Sequence, residues 1–149
     1  ALAPLVVDAL HKRGRTAALM LRGPGKGGLS ALPSRINSDN PRCAIELHLN
    51  SGPPKATGSE GLVAEGAVRG RALAEKLQGA LTTTLSLPDR GVKGRPSSER
   101  GGYFLHNTRC PACIVEVAFI SNPADMAMAT AKREELAAAL ADAIVESLK

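Results

Sequence analysis

The sequence has no tryptophan, few aromatic residues of any kind and no long apolar run. Aromatic residues make up only 2% of the chain, at Tyr103, Phe104 and Phe119. Proteins that bind nucleobases by stacking need more such side chains, so a nucleic-acid partner is not expected. No stretch approaches the roughly 20 consecutive apolar residues of a membrane-spanning helix. We therefore expect no membrane span.

Cysteine is also scarce. The three cysteines, Cys43, Cys110 and Cys113, are an odd number and do not form a disulfide framework. The Cys-x-x-Cys pair at 110–113 lacks the second pair of a closed zinc site. It also leads into an apolar strand, whereas the thioredoxin-like motif opens a helix. The sequence therefore predicts buried free cysteines.

The charge is positive but dispersed. The formal net charge is +5 and the isoelectric point is about 9.5. This balance favours an acidic partner, although the basic residues are scattered and form no single cluster. Residues 1–10 are apolar but contain Pro4 and Asp8, and they have neither a basic leader nor a small-residue cleavage site. We predict no signal peptide, so any export would depend on something outside this chain.

Apolar periodicity predicts alternating helices and strands along a single domain without repeats. An opening helix should stop near Gly14, which suits a left-handed C-cap. The Gly-rich run at 23–28 is expected to be a loop, and it lacks the closing Lys-Ser or Lys-Thr of a phosphate-binding loop. Asn122, Pro123 and Asp125 predict a helix start.

The remaining predicted elements are strands at 16–21, 43–49, 61–64, 102–106 and 112–118, a short turn or helix at 32–40, helices at 66–81 and 133–148, and a surface loop at 86–102. This alternation predicts a three-layer α/β domain in which helices flank a mostly parallel or mixed sheet.

Two of the predicted strands each carry one chemically active side chain, His48 in the first and Glu116 in the second. Ligands of open α/β sheets bind where strands end, so this pair suggests a metal-bound water and its general base. Two structural roles stay open, an ion pair of Glu116 with an arginine and a hydrogen bond of His48 to a backbone carbonyl. A lone imidazole binds zinc weakly, so a metal site would need further ligands.

Four segments of the chain together form a recognisable pattern. They are Glu46-Leu47-His48-Leu49-Asn50, Gly58-Ser59-Glu60-Gly61, Arg90-Gly91-Val92-Lys93 and the block from Cys110 to Asp125. In this order they resemble the zinc-dependent N-acetylmuramoyl-L-alanine amidases, the catalytic domain of bacterial cell-wall amidases and phage endolysins. The resemblance covers nearly the whole chain, and its last block is the most specific.

This resemblance implies an aminopeptidase-like α/β fold, one catalytic zinc ion and peptidoglycan as the substrate. Members of the family hydrolyse the amide between the lactyl group of N-acetylmuramic acid and the first L-alanine of the stem peptide. By position, His48 resembles the last of the family's three zinc ligands and Glu116 resembles its catalytic glutamate. The expected place of action is the bacterial cell wall.

The first two zinc ligands of the family have no counterpart in the sequence. The resemblance places a histidine in a Gly-His-Gly-Gly turn after an opening strand and a glutamate just before the first long helix. The chain begins inside that helix, so we expect residues 1–149 to be an amidase domain without its N-terminal strand. Two alternatives are a degenerate homologue that binds wall polymer without cutting it and a strand supplied by another chain. His11 should face solvent and is not expected to replace a ligand.

Several further residues are candidates for contact with the substrate. His106 is expected in the strand before Glu116, Asn50 closes the motif around His48, and Arg90 lies in the polar loop. That loop carries basic side chains that could hold the carboxylates of a stem peptide or could simply be solvated. They are Arg90, Lys93, Arg95 and Arg100. Arg35 and Asn37 fit a structural role equally well.

Overall fold

A computed structural model describes residues 1–21 and 28–149, which form six helices and four strands. The helices are α1 (Leu2–Lys12), α2 (Gly28–Asp39), α3 (Val68–Leu85), α4 (Gly102–Asn107), α5 (Pro123–Ala131) and α6 (Arg133–Ser147). The strands are β1 (Ala44–Asn50), β2 (Ser59–Ala64), β3 (Asp89–Arg95) and β4 (Ala112–Phe119). Within this part of the chain, no helix is both long enough and apolar enough to cross a membrane.

The four strands form one mixed sheet in the order β1-β4-β2-β3. β1 runs parallel to β4 and β2 runs parallel to β3, whereas β2 and β4 are antiparallel. Seven of the eight residues of β4 are buried, in agreement with its central position. The carboxyl ends of β1 and β4 therefore meet the start of β2 at one edge of the sheet.

Helices cover both faces of the sheet. α1, α3 and α6 pack on one face, where they form the larger core with sheet residues such as Val63, Val115 and Val117. α2 and α4 pack on the other face, where Leu62 and Ile114 belong to a smaller core. The predicted three-layer α/β architecture with a mixed sheet is confirmed.

Two local sequence signals produce the predicted turns. Gly14 follows α1 with a φ of 69°, the left-handed conformation expected of a residue that ends a helix. Asn122 caps α5, since its side chain accepts hydrogen bonds from the backbone N–H groups of Ala124 and Asp125. Pro123 occupies the first turn, where its missing N–H has no cost.

The predicted strand at 102–106 is wrong, because residues Gly102–Asn107 form α4. Gly101 precedes the helix with a φ of 87°, and a Cβ on Gly102 would lie 2.3 Å from the carbonyl oxygen of Pro96. The two glycines thus allow a sharp entry and a close approach of backbone to backbone. Phe104 and Leu105 are buried by packing against α2, and this contact overrides the strand propensity of the aromatic residues.

Two more sequence expectations are corrected. Residues 16–21 lie outside the sheet, where Leu19 and Leu21 are 42% and 71% exposed, because an apolar run becomes a strand only where a partner is available. The polar segment at 86–102 is not entirely loop but contains β3, an edge strand whose residues are all exposed or only partly buried. Most of the glycine-rich run at 23–28 lies outside the described residues.

Candidate active site

The sheet register places three functional side chains in one row. His48 of β1 pairs with Glu116 of β4, and Glu116 pairs on its other side with Glu60 of β2. Directly opposed residues of neighbouring strands point to the same face. The three side chains therefore share the face covered farther along by α2 and α4. The predicted convergence of His48 and Glu116 at strand ends is what the register shows.

His48 is held beside a second carboxylate of its own strand. Its Nε2 lies 3.2 Å from Oε2 of Glu46, two residues earlier and therefore on the same face. The side chain of Glu46 is only 9% exposed, while that of His48 is 28% exposed. A carboxylate on one ring nitrogen fixes the tautomer and orientation of an imidazole, which leaves Nδ1 as the nitrogen with a free lone pair.

Glu116 has the environment of a proton acceptor. Its Oε2 is buried and has no hydrogen-bond partner among residues 1–21 and 28–149. Burial raises the pKa of the carboxyl above its ordinary value, because the charged form loses hydration. The neighbouring His48 lowers this pKa, and the negative charge of Glu60 raises it. A carboxylate with a raised pKa is a stronger base than one in water.

Glu60 has the opposite surroundings although it lies directly beside Glu116. It is 5% exposed and contacts three cationic side chains of β3. Nζ of Lys93 donates to its Oε2, Nε of Arg90 lies 3.4 Å from the same oxygen, and Arg95 Nη2 lies 3.9 Å from Oε1. This carboxylate is therefore neutralised within the protein.

A buried aspartate supports this edge of the sheet. Asp125 accepts hydrogen bonds from Oγ1 of Thr57 at 2.5 Å, from the N–H of Gly58 at 3.1 Å and from the N–H of Phe119 at 3.0 Å. It joins the end of β4 to the loop that leads into β2. In the sequence only its place in the first turn of α5 was visible, since its partners are distant along the chain.

The three weaker candidates for substrate contact occupy different positions. Nε2 of His106, which is exposed on α4, lies 2.7 Å from the carbonyl oxygen of Arg95. Oδ1 of Asn50 accepts the N–H of Ser51 at 2.9 Å. Arg90 lies beside Glu60, with its guanidinium 5.0 Å from the centre of the Phe119 ring. Of the three, Arg90 is the one in contact with the row of site residues, and the substrate roles stay predictions.

The residues expected to be structural can also be placed. Asn37 donates to the carbonyl of Asn107 at 2.8 Å and accepts the N–H of Arg109 at 2.9 Å, so it joins α2 to the end of α4. Cys113 is buried, and burial raises its pKa; the half-buried Cys43 has its pKa raised to about 11 by the same cause. All three cysteines are free thiols.

The described residues do not by themselves form a complete metal site. Within residues 1–21 and 28–149, no group of three histidine, cysteine, aspartate or glutamate side chains could hold a metal ion. The chemistry of the donors is suitable, because one imidazole and three carboxylates, those of Glu46, Glu60 and Glu116, lie on one face. His11 is exposed, as predicted, and its Nε2 lies 2.9 Å from the carbonyl oxygen of Ala17. The fit to zinc is thus partial, and the role of His48 as a zinc ligand stays a prediction.

Comparison with known proteins agrees with the fold. The family model described as N-acetylmuramoyl-L-alanine amidase matches residues 1–148. The catalytic domain of the CD27L endolysin, which targets Clostridia difficile, is 26% identical with a TM-score of 0.83, over 97% of this chain and 79% of that one. No curated protein sequence matches the chain.

Two further solved structures share the fold at lower identity. The amidase AmiC2 of Nostoc punctiforme is 21% identical with a TM-score of 0.82, over 97% of this chain and 79% of that one. The amidase Ami1 of Mycobacterium smegmatis is 22% identical with a TM-score of 0.81, over 99% and 73%. With a family model matching almost from end to end, the chain belongs to the N-acetylmuramoyl-L-alanine amidase family.

Proposed function

We propose that this protein hydrolyses the amide bond between N-acetylmuramic acid and L-alanine in peptidoglycan, with Glu116 as the general base. The observation that carries the catalytic role is the buried Oε2 of Glu116, which has no hydrogen-bond partner among the described residues, on a residue in register with His48. A buried acceptor without a partner is costly and is retained where a ligand or a reacting water completes it. Since the substrate is a wall polymer, the cell wall is the place of action.

Glu116 would take part in two proton transfers. Its carboxylate accepts a proton from the attacking water, so that oxygen attacks the carbonyl carbon of the lactyl group as hydroxide. The resulting carboxylic acid then donates the proton to the departing nitrogen of L-alanine, which leaves as a neutral amine. The raised pKa of Glu116 suits both transfers. The same side chain must be basic enough to accept a proton from water and acidic enough to donate it to the departing nitrogen.

We further propose that the reaction uses one zinc ion with His48 as a ligand. Bound zinc would polarise the amide carbonyl and lower the pKa of water. The other ligands implied by the family resemblance, a histidine and a glutamate, would come from residues other than the described ones. The role of this chain is then to orient the His48 imidazole through Glu46 and to keep the carboxylate of Glu116 beside it.

The test is the product formed from purified muropeptides that contain an intact muramyl-alanine bond. We expect zinc-dependent appearance of a stem peptide with a free L-alanine amine, detected by mass spectrometry, and its loss in Glu116→Gln. Glu75→Gln changes an exposed glutamate of α3 and serves as the matched control. Binding of wall polymer without any new amine, with zinc present and the fold intact, would overturn the proposal in favour of a silent wall-binding module.

A further inference from the structure

A backbone irregularity brings three cations of β3 together. Ser59 pairs with Asp89, but Gly61 pairs with Val92, so β3 contains one more residue than β2 over this interval. Gly91 lies inside the interval with a φ of 76°, as the glycine of a β-bulge does. The extra residue turns the side chain of Arg90 to the side of Lys93 and Arg95. The Arg-Gly-Val-Lys segment thus places two cationic side chains, Arg90 and Lys93, beside the same carboxylate of Glu60.

The cations outnumber the carboxylate they contact. Arg90, Lys93 and Arg95 surround the single carboxylate of Glu60, and their side chains remain 38%, 46% and 32% exposed. Arg95 also binds Glu99 at 2.7 Å, yet its Nε has no acceptor in the part of the chain that the structure describes. Neutralising one buried carboxylate needs one good partner, so the donors and the positive charge exceed what Glu60 requires.

Two of these cations are held in position without a ligand. The guanidinium of Arg90 stands over the ring of Phe119 while its Nε faces Glu60, so two contacts fix one side chain. Lys93 is restrained by its contact with Glu60. Side chains ordered in advance lose less entropy when they bind an anion.

The distance from the proposed general base defines which anion could reach the cations. Glu116 and β3 are separated by β2, which amounts to two strand spacings, or about 10 Å. An extended peptide advances about 3.5 Å per residue. A carboxylate that lies two or three residues along the stem from the amide under attack therefore spans this gap.

We propose that Arg90, Lys93 and Arg95 form a subsite for a free carboxylate of the peptidoglycan stem peptide beyond its L-alanine. The inference deepens the proposed function and rests on it for the identity of the peptide. The subsite distinguishes stems with a free carboxylate from stems in which that group is a carboxamide. A carboxamide keeps the shape and loses the charge, so its contacts to the three cations are weaker.

The direct test compares two muropeptides that differ only in a carboxylate or a carboxamide on the second stem residue, with a second pair that differs at the third. For one of these pairs, wild-type protein should show a KM roughly 10-fold lower for the free acid, with kcat nearly equal. Arg90→Gln and Lys93→Gln should each bring the ratio of the two KM values close to one. Arg133→Gln, at the exposed start of α6, is the matched control for loss of one cation.

A binding measurement separates this inference from the proposed function. Titration calorimetry with free stem tripeptides and Glu116→Gln protein requires no turnover, so it applies even if no amide is cleaved. Tighter binding of the free acid, abolished by Lys93→Gln in a protein with an unchanged unfolding midpoint, supports the subsite. Equal affinity for the free acid and the amide overturns the inference. A preference for the acid that persists in both Arg90→Gln and Lys93→Gln also overturns it, and the cations are then only partners of Glu60.

Discussion

Glu60 and Glu116 are two carboxylates that lie directly opposite each other on neighbouring strands, yet the protein treats them differently. Glu60 is surrounded by Arg90, Lys93 and Arg95, whereas Glu116 keeps a buried oxygen that no described residue contacts by a hydrogen bond. One strand spacing thus separates a satisfied charge from an unsatisfied one. The difference shows how a single sheet edge can hold one carboxylate as a structural anchor and leave its neighbour available for proton transfer.

Glu60 and Glu116 are also coupled electrostatically. The charge of Glu60 raises the pKa of Glu116, while the more distant Arg95 and Arg100 lower it. Of the three cations of β3 that contact Glu60, Arg95 thus also acts on Glu116. Burial remains the largest cause of its raised pKa.

The largest expected effect comes from removing the histidine on the far side of Glu116. His48→Ala should lower the rate of amide cleavage by at least about 100-fold, because no other described imidazole lies in the row. Zinc content, measured by elemental analysis after gel filtration, should fall together with the rate. His11→Ala removes an exposed histidine of α1 and should change neither quantity. An unchanged zinc content and an unchanged cleavage rate in His48→Ala would contradict a shared role of His48 and Glu116 in one site.

Within the Glu60 region, a substitution where β2 approaches β3 should cost the most stability. Gly58 has a φ of 112°, and a Cβ there would lie 2.4 Å from the carbonyl oxygen of Pro88. Gly58→Ala should therefore lower the free energy of unfolding by about 2–3 kcal/mol in urea denaturation. Gly79→Ala is the control, because nothing lies within 4 Å of its Cβ position in α3. Equal stability of the two variants would show that Gly58 adapts freely.

Neutralising Glu60 should weaken the fold because it leaves three cations without their shared carboxylate. We expect Glu60→Gln to lower the free energy of unfolding by about 1–2 kcal/mol, a value limited by the exposure of the cations to solvent. Glu135→Gln breaks an exposed pair with Lys132, 2.8 Å long, and should cost less than about 0.5 kcal/mol. An unchanged stability of Glu60→Gln would remove the structural role assigned to this carboxylate.

Neutralising Glu116 should have a smaller effect of the opposite sign. Its folded-state pKa is raised, so the folded protein holds the proton to a higher pH than the unfolded chain does. The contribution to stability is thus lost as pH rises through the raised pKa, and at pH 7 the buried charge is a cost. Glu116→Gln should raise the free energy of unfolding by roughly 0.5–1 kcal/mol at pH 7. The gain should vanish below the ordinary carboxyl pKa, with both measurements made in the presence of a chelator.

Local sequence signals predicted β4 and the turn after it. The apolar run with a single glutamate predicted a buried strand, and the Asn-Pro pair predicted the start of α5, because both signals act over a few residues. The tertiary role of Asp125 was not predictable in the same way. Its hydrogen bonds reach Thr57 and Gly58, and no local pattern announces such partners.

The edge of the site was the part that sequence reasoning missed. β3 is polar because one side of an edge strand faces solvent, so its composition matches that of a loop. α4 has aromatic residues that favour a strand, and only packing on α2 makes it helical. Glu60 stood in a recognised motif, but its ion pairs depend on a register shift that the sequence does not reveal.

The most direct test of the division between the two carboxylates is the rate of muramyl-alanine cleavage by Glu116→Gln and Glu60→Gln under identical conditions. Both variants must first be shown to be folded by their unfolding midpoints. We expect Glu116→Gln to lose activity by about 10²- to 10⁴-fold, as for removal of a general base, and Glu60→Gln to keep most of it per folded molecule. Equal losses in the two variants, or substantial activity in Glu116→Gln, would contradict the assignment of Glu116 as the base and Glu60 as the anchor.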